Sequence, residues 1–262
     1  MKLDGCTALI TGASAGLGRE FARQLAPRAR ALILVARRTA RLEELREELT
    51  RNHPALAVHL RTVDLSKHKS VTALCDSLAA EKIVPDFLIN NAGVGDRGGF
   101  DTSDFGRVND MLQVNVVSLT LLTRKLLPAM VAAKAGAILN VSSSASFLPI
   151  PGMGVYAASK AYVTSFTEAL RTEVRGCGII VSALCPGPVH TEFDQLAQRA
   201  DAPKDPAPEL THVAADQVVR DALAGIESNR AIVIPGLVMK IAMTLVRLTP
   251  MPLLRLAGRF AP

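Results

Sequence analysis

Tyr156 and Lys160 stand four residues apart in Tyr156-Ala157-Ala158-Ser159-Lys160. On a helix that spacing puts both side chains on one face, about 6 Å apart along the axis. An ammonium beside a phenol favours the phenolate: at about 4 Å and an effective dielectric near 20, the attraction is about 4 kcal/mol. That energy equals about three pKa units, enough to bring a tyrosine from about 10 toward neutrality. A phenol tuned in this way gives or takes a proton at physiological pH. The other tyrosine of the chain, Tyr162, has no lysine four residues on.

A second pattern, Thr11-Gly12-Ala13-Ser14-Ala15-Gly16-Leu17-Gly18, lies between an apolar run and a helix-period segment. A glycine-rich turn from strand to helix brings backbone N–H groups against a phosphate and aims the helix N-terminus at its charge. No Gly-Lys-Ser/Thr follows, so nucleotide hydrolysis is disfavoured. The next apolar run, ALILVA over 31–36, ends in Arg37-Arg38, and no carboxylate occurs until Glu43. A carboxylate there would accept from ribose hydroxyls and repel a 2′-phosphate, whereas a guanidinium fork binds that phosphate. A dinucleotide at this turn is therefore expected to be NADP(H). Asp64 closes the third run before Leu65 and could cap a helix over 65–82.

These residues need a frame to hold them, and the 262-residue chain, 49% hydrophobic and 21% charged, is long and apolar enough to build one. The same numbers exclude whole-chain disorder and collagen-like, coiled-coil or disulfide-scaffold classes. Apolar runs at 6–11, 31–36, 56–63, 86–92, 136–142, 178–186 and 231–236 read as buried strands. Helix-period segments lie between them at 17–26, 38–51, 67–82, 105–134, 153–175 and 212–228; in 38–51 the spacing of Leu42, Leu45 and Leu49 marks one apolar face. Strict alternation of this kind predicts an α/β fold, a parallel sheet with helices on both faces, in a single domain over 1–262. Two regions depart from the rhythm. Residues 192–211 are polar with clustered prolines, as in a lid loop, and 237–262 form an apolar, basic tail.

Further motifs keep the same order: Asn90-Asn91-Ala92-Gly93 ends the fourth run, Asn115 lies in DMLQVNVVS, Ser143 in NVSSSAS, and Cys185-Pro186-Gly187-Pro188-Val189-His190-Thr191 follows the sixth. In order and spacing the chain resembles the classical short-chain dehydrogenase/reductase family, of the NADP-preferring type, from residue 5 to about 195, with the seventh run extending the likeness to 236. The resemblance implies a Rossmann-like, doubly wound, seven-stranded parallel sheet. It implies that Tyr156 is the general acid or base, that Lys160 lowers its pKa and holds the nicotinamide ribose, that Ser143 donates to the substrate oxygen, and that Asn115 positions a water. It further implies that Gly12, Ser14, Gly16, Leu17 and Gly18 shape the pyrophosphate turn, that Asp64 and Leu65 meet the adenine, and that Asn91, Ala92 and Gly93 flank the cofactor. Pro186, Gly187, Val189 and Thr191 would hold the nicotinamide. Of the serines at 142 to 144, neighbours on a strand point to opposite faces, and the family spacing selects 143.

The uncharged stretch 147–155, with Phe193 and Leu196, predicts an apolar pocket wall, Phe147 and Phe193 joining Ser143 and Tyr156 as substrate contacts. A hydrophobic ketone, aldehyde or secondary alcohol is the expected substrate, ahead of a sugar, polyol or anionic acid. In the tail, 237–248 sets Leu237, Ile241, Leu245 and Leu248 on one side and Lys240 and Arg247 on another. That face is expected to pack on the pocket or in a homodimer or homotetramer, and secondarily to touch a membrane. His190 reads as a lone loop residue, and the five histidines show no H-x-x-x-H or Cys/His clustering, so no metal site is expected. The four cysteines contain no C-x-x-C pair and read as buried hydrophobes in a reducing compartment. No leader-like apolar run opens the chain, so a cytoplasmic protein is expected, with membrane association through the tail as the second expectation. The rivals are an NADP-binding sensor or scaffold without turnover, and a nucleic-acid or membrane module using the net charge of +6. Against the last, aromatics are only 4%, too few for base stacking. The excess charge is also local: residues 231–262 hold four basic and no acidic residues, and residues 19–51 nine basic and five acidic. Nucleic acid is not an expected partner.

Overall fold

A computed structural model describes residues 2–199, 209–250 and 252–254. The strands are β1 (Thr7–Thr11), β2 (Ala31–Ala36), β3 (Ala57–Thr62), β4 (Phe87–Asn90), β5 (Gly136–Val141), β6 (Ile179–Leu184) and β7 (Ile232–Val233). They form one seven-stranded sheet in the order β3-β2-β1-β4-β5-β6-β7, parallel throughout. The helices are α1 (Gly16–Leu25), α2 (Thr39–Asn52), α3 (His68–Ala80), α4 (Phe105–Leu112), α5 (Leu119–Ala133), α6 (Gly154–Glu173), α7 (Glu192–Ala197), α8 (Ala215–Glu227) and α9 (Leu237–Leu248).

Side-chain alternation along the strands feeds two cores. Ala8, Ile10, Leu32, Leu34, Phe87 and Ile89 pack on one face with Phe21 of α1, Leu42, Leu45 and Leu49 of α2, and Val218 of α8. Leu9, Ile33, Val35, Leu88 and Ile138 pack on the other with Val71 and Leu74 of α3, Leu122 of α5 and Leu170 of α6. The expected Rossmann-like, doubly wound sheet is therefore present. Chain direction across the sheet reverses between β1 and β4, and in such sheets the crevice for a ligand opens at the strand ends of that reversal.

Three local features differ from the sequence pattern. The helix expected over 105–134 carries a wider π turn, Gln113–Ser118, between α4 and α5; hydrophobic periodicity does not register the one extra residue. Asp64 does not cap α3, which starts at His68 after Lys67. Its carboxylate instead accepts from the Ser66 N–H at 3.0 Å, holding a turn ahead of the helix. The expected lid loop begins as a helix, α7, whose cap is Thr191, its Oγ1 accepting from the Phe193 N–H; residues 200–208 of that segment lie outside the described residues, as do 251 and 255–262 of the tail.

Candidate active site

At the end of β1 the backbone turns with positive φ at Gly12 and Gly16, +70° and +50°. A Cβ on Gly18 would lie 2.3 Å from the Gly12 carbonyl oxygen and 2.6 Å from Asn91 Nδ2, so the turn closes only with glycine there. Ala15, at the N-cap of α1, supplies no side-chain cap, and the first-turn N–H groups remain available to an anion. The Thr11 hydroxyl stitches this turn to the next strand end. It accepts from the N–H groups of Asn91 and Ala92 at 3.0 and 2.9 Å and donates to the Ile89 carbonyl at 3.3 Å. Asn91 Nδ2 in turn donates to the Thr11 carbonyl at 2.8 Å.

Arg38 lies over the turn, donating through Nε and Nη2 to Ser14 Oγ at 3.3 Å. Its Nη1 reaches Glu192 of α7 at 2.8 Å, and Arg41 pairs with the other oxygen of the same carboxylate. The hydrogen bonds from Arg41 and Arg38 hold the Glu192 carboxyl down at about 2. Arg37 is exposed at the same strand end. Burial works against ionisation of Asp64, but the Ser66 hydrogen bonds and the charge of Arg37 outweigh it and keep that carboxyl below its ordinary value. Leu65 is buried, its carbonyl accepting from Ser118 Oγ.

The tyrosine and lysine of α6 do share a face, both buried, with Lys160 Nζ 5.8 Å from the Tyr156 ring centroid. The expected lowering of the phenol pKa is nevertheless overturned for the protein by itself. Burial pushes Tyr156 up to about 12, although the Ser143 hydroxyl hydrogen-bonds the phenol and acts in the opposite direction. Lys160 donates instead to the Val141 carbonyl at the end of β5, at 2.8 Å, and burial brings its ammonium down to about 8. Helical spacing fixes the shared face but neither the direction of the lysine head group nor the enclosure of the ring.

Asn115 reaches this group from the π turn. Its Oδ1 accepts from the Val94 N–H at 2.9 Å, and its Nδ2 donates to the Val94 carbonyl and to Ser159 Oγ, both at 3.0 Å. Ser159, a packing position by its place in the motif, completes the link by donating to the Tyr156 carbonyl at 2.7 Å. A Cβ on Gly93 would lie 3.3 Å from Lys160 Nζ and 3.4 Å from Asn115 Oδ1; the end of β4 thus touches both. The serine triplet also resolves. Ser142 donates to the Lys160 carbonyl at 2.9 Å, while Ser143 faces the phenol and the Ser144 N–H donates to the Pro186 carbonyl at 2.8 Å. Below them Asn90 bridges Thr123 and Asn140, and Asn140 donates to Thr167. This buried chain, not foreseen from the sequence, pins the ends of β4 and β5 to α5 and α6.

Beyond β6, Val189 is buried and Thr191 packs on the glycine turn, 3.4 Å from where a Gly16 Cβ would stand. Gly187 lies under Met239 of α9. Phe193 tilts against Tyr156, with ring centroids 5.6 Å apart. Phe147 does not join it: its ring lies beneath the Arg247 guanidinium of α9, 5.4 Å away. Leu196 is exposed. Next to Tyr156 a cleft is lined by Phe100, Val108, Met111, Ile150 and Val155. The apolar wall carries one charged feature, buried Asp96 paired with Arg107 at 3.1 Å and Arg199 at 3.2 Å. Helix α9 packs inward through Met239 and Met243, leaving the Leu237, Ile241, Leu245 and Leu248 face exposed. Cys6, Cys75 and Cys185 are buried free thiols and Cys177 is half-buried; burial raises Cys6 to about 12 and Cys185 to about 11.

His190 is not alone. Its Nε2 lies 2.9 Å from a Glu209 oxygen, and its ring stacks on His212 at 4.3 Å between centroids. Only the Glu209-x-x-His212 spacing could have signalled this, and it lies nineteen residues from His190.

A glycine turn at the sheet's reversal, facing a buried phenol across one crevice, is the layout of a dinucleotide-dependent α/β oxidoreductase. The chain belongs to the short-chain dehydrogenase family, whose sequence model matches residues 6–202. It is similar to sulfoacetaldehyde reductase 2 of Chromohalobacter salexigens, 37% identical over 198 residues, 74% of this chain and 76% of that one. It is also 37% identical to the NADP-dependent 3-hydroxy acid dehydrogenase of Schizosaccharomyces pombe, over 78% of this chain and 79% of the relative. Among solved structures, a short-chain dehydrogenase from Sphingobium yanoikuyae in complex with NADPH superposes with a TM-score of 0.82 at 32% identity, covering 93% of this chain and 94% of that one. The bulky-bulky ketone specific alcohol dehydrogenase of Comamonas testosteroni superposes with a TM-score of 0.77 at 26% identity, covering 94% and 95%.

Proposed function

We propose that the chain transfers a hydride between NADP(H) and a hydrophobic ketone or aldehyde, or the matching secondary alcohol. The observation that carries this reading is the buried Tyr156 phenol, with Lys160 on the same helix face and Ser143 acting on it, packed against Met111, Ile150 and Val155 of the neighbouring apolar cleft. The glycine turn has no room for side chains where a pyrophosphate would approach, and α1 offers it uncapped N–H groups. Gly12, Ser14, Gly16, Leu17 and Gly18 would hold the pyrophosphate, and Arg37 and Arg38 a 2′-phosphate. Asp64 and Leu65 would meet the adenine. Asn91, Ala92 and Gly93, with Pro186, Gly187, Val189 and Thr191, would border the nicotinamide. NADPH-bound and NADP-dependent relatives support the choice of cofactor. When bound, it supplies or accepts the hydride at the substrate carbon.

The protein's own residues handle the proton. In reduction Tyr156 Oη gives its proton to the carbonyl oxygen while Ser143 donates a hydrogen bond to that oxygen, stabilising charge as it develops. A phenol at about 12 is fully protonated at neutral pH and ready for that step. The Lys160 ammonium, held by the Val141 carbonyl, favours the phenolate that remains. Asn115 is a positioning residue: it ties the Val94 backbone to α6 through Ser159. Retention of this whole network favours turnover over the sensor or scaffold reading. The test is titration with NADPH and NADH, then turnover on a carbonyl panel with Tyr156→Phe as control. Tight binding of NADH but not NADPH overturns the cofactor; unchanged activity in Tyr156→Phe overturns the mechanism.

A second substrate reading rests on Asp96, whose single charge is shared by Arg107 and Arg199 at the cleft. The net positive charge of this trio favours a carbonyl compound with an anionic group, as in the sulfoacetaldehyde and 3-hydroxy acid of the relatives' names. The carbonyl panel should therefore contain matched neutral and anionic members. One domain over 1–262 would carry the activity, with 192–211 as lid and 237–262 as tail. The exposed leucine face of α9 fits a second copy in a homodimer or homotetramer, measured by light scattering. The lack of acidic residues in 231–262 favours, as the second reading, peripheral contact of a cytoplasmic protein with an anionic membrane, measured by vesicle sedimentation.

A further inference from the structure

Two chain segments meet beside Thr191, and the side chains of His190, Glu209 and His212 that they bring together have no part in the chemistry above. One is the loop after β6, carrying His190; the other is the single 3-10 turn Glu209–Thr211, followed by His212, just before α8. The Val213 N–H donates to the Pro188 carbonyl at 3.3 Å, and the His212 N–H donates to the Glu209 carbonyl at 3.0 Å. The backbone therefore fixes the approach of these segments independently of their side chains. On that base His190 Nε2 sits 2.9 Å from Glu209 Oε1, and His212 Nδ1 lies 3.8 Å from Glu209 Oε2. All three residues offer a ligand atom within 4.8 Å of the others.

We infer that His190, Glu209 and His212 form a binding site for a borderline divalent metal ion, of the zinc class. Two imidazoles and one carboxylate are a recurrent zinc ligand set, with a fourth position left for water. In tetrahedral geometry with bonds of about 2.0–2.1 Å, neighbouring ligand atoms stand about 3.3 Å apart, so closing the site asks for the two stacked imidazoles, exposed His190 and half-buried His212, to turn toward one point. His190 and Glu209 are exposed, which leaves the ion an entry path and the fourth position open to solvent. Imidazole donors favour zinc, cobalt or nickel over magnesium or calcium, which prefer all-oxygen shells. The ion would staple the loop that carries Thr191 to the segment leading into α8. This inference does not rest on the proposed activity, since binding is read without cofactor or substrate.

The test uses the full, untagged chain titrated with ZnCl2 by calorimetry, and with CoCl2 by visible absorption. Expected are one saturable site per chain, a cobalt d–d spectrum of tetrahedral intensity, and a thermal upshift that grows with the logarithm of free zinc. His190→Ala, His212→Ala and Glu209→Gln should each weaken zinc binding, the histidine variants by more than about 100-fold, since even outer partners of metal ligands are worth 10–100-fold. His68→Ala, an exposed histidine at the start of α3, should leave it unchanged. Circular dichroism of each variant separates loss of the site from loss of the fold. The inference is overturned by the lack of any saturable zinc binding, by binding that survives removal of both histidines, or by an equal response to MgCl2.

Discussion

The crevice has two unlike walls. On one side, the ends of β1 and β4 are built from backbone: positive-φ glycines, a turn too tight for a Cβ, and peptide N–H groups held by Thr11. The other wall comprises the loop after β6, α7 and α9. It is assembled from side chains, through the Glu192–arginine pairs, the Phe193–Tyr156 contact and the methionine face of α9. A wall made of peptide groups presents fixed dipoles that suit an unchanging ligand such as a pyrophosphate. A wall made of ion pairs and rings can be re-formed around different substrates without disturbing the sheet.

Substitutions can break or sharpen this contrast. The largest effect is expected at the point where the walls meet: Tyr156→Phe should cut kcat by about 10²–10⁴-fold in steady-state assays, with NADPH affinity retained. On the backbone wall, Gly18→Ala drives a Cβ into the Gly12 carbonyl. It should cost about 1–3 kcal/mol of overpacking and weaken NADPH binding, both read from melting curves with and without the cofactor. Asn115→Ala strips the part-buried Val94 N–H of its partner; a loss of about 1–3 kcal/mol is expected by chemical denaturation, with a smaller fall in kcat than for Tyr156→Phe.

Lys160→Met separates function from stability. The folded state lowers this ammonium from 10.5 to about 8, so it binds fewer protons than the unfolded chain, and the stabilising contribution is present above about 10.5 and lost as pH falls through 8. The variant should lose activity yet melt higher than the parent at neutral pH, the gap narrowing as pH rises through that window. The smallest effect belongs to the side-chain wall: Glu192→Gln releases Arg38 and Arg41 from a competing carboxylate. It should tighten NADPH binding by a few-fold by fluorescence titration and leave NADH unchanged.

The same contrast explains what could be read from the chain. The order of the strands, the sheet type and the Tyr156/Lys160 face follow from local periodicity, and ALILVA matches β2 residue for residue; β3, read as buried, is instead a part-exposed edge strand, and the run 231–236 pairs only through Ile232–Val233. The glycine turn was equally plain because steric demands are local. The Asn90–Asn140–Thr167 chain, the Val141 partner of Lys160 and the Glu192 pairing of Arg38 each join residues from separate elements, and no spacing rule reaches across them. The π turn at Asn115 was hidden for another reason: it changes the hydrogen-bond ladder but hardly the apolar stripe. By hydropathy and length alone Phe105–Ala133 would pass for a membrane span, yet its Asn115, Ser118 and Thr123 are buried and hydrogen-bonded to the rest of the fold.

The anchoring of Lys160 to the last carbonyl of β5 makes the sheet itself part of the proton chemistry. Val141 is registered against Leu184 of β6, so a slip between those strands moves the carbonyl that the buried ammonium donates to. Its proton affinity then serves as a gauge of sheet alignment: distant core substitutions that loosen β5 from β6 should shift the pH dependence of turnover before they lower the amount of folded protein.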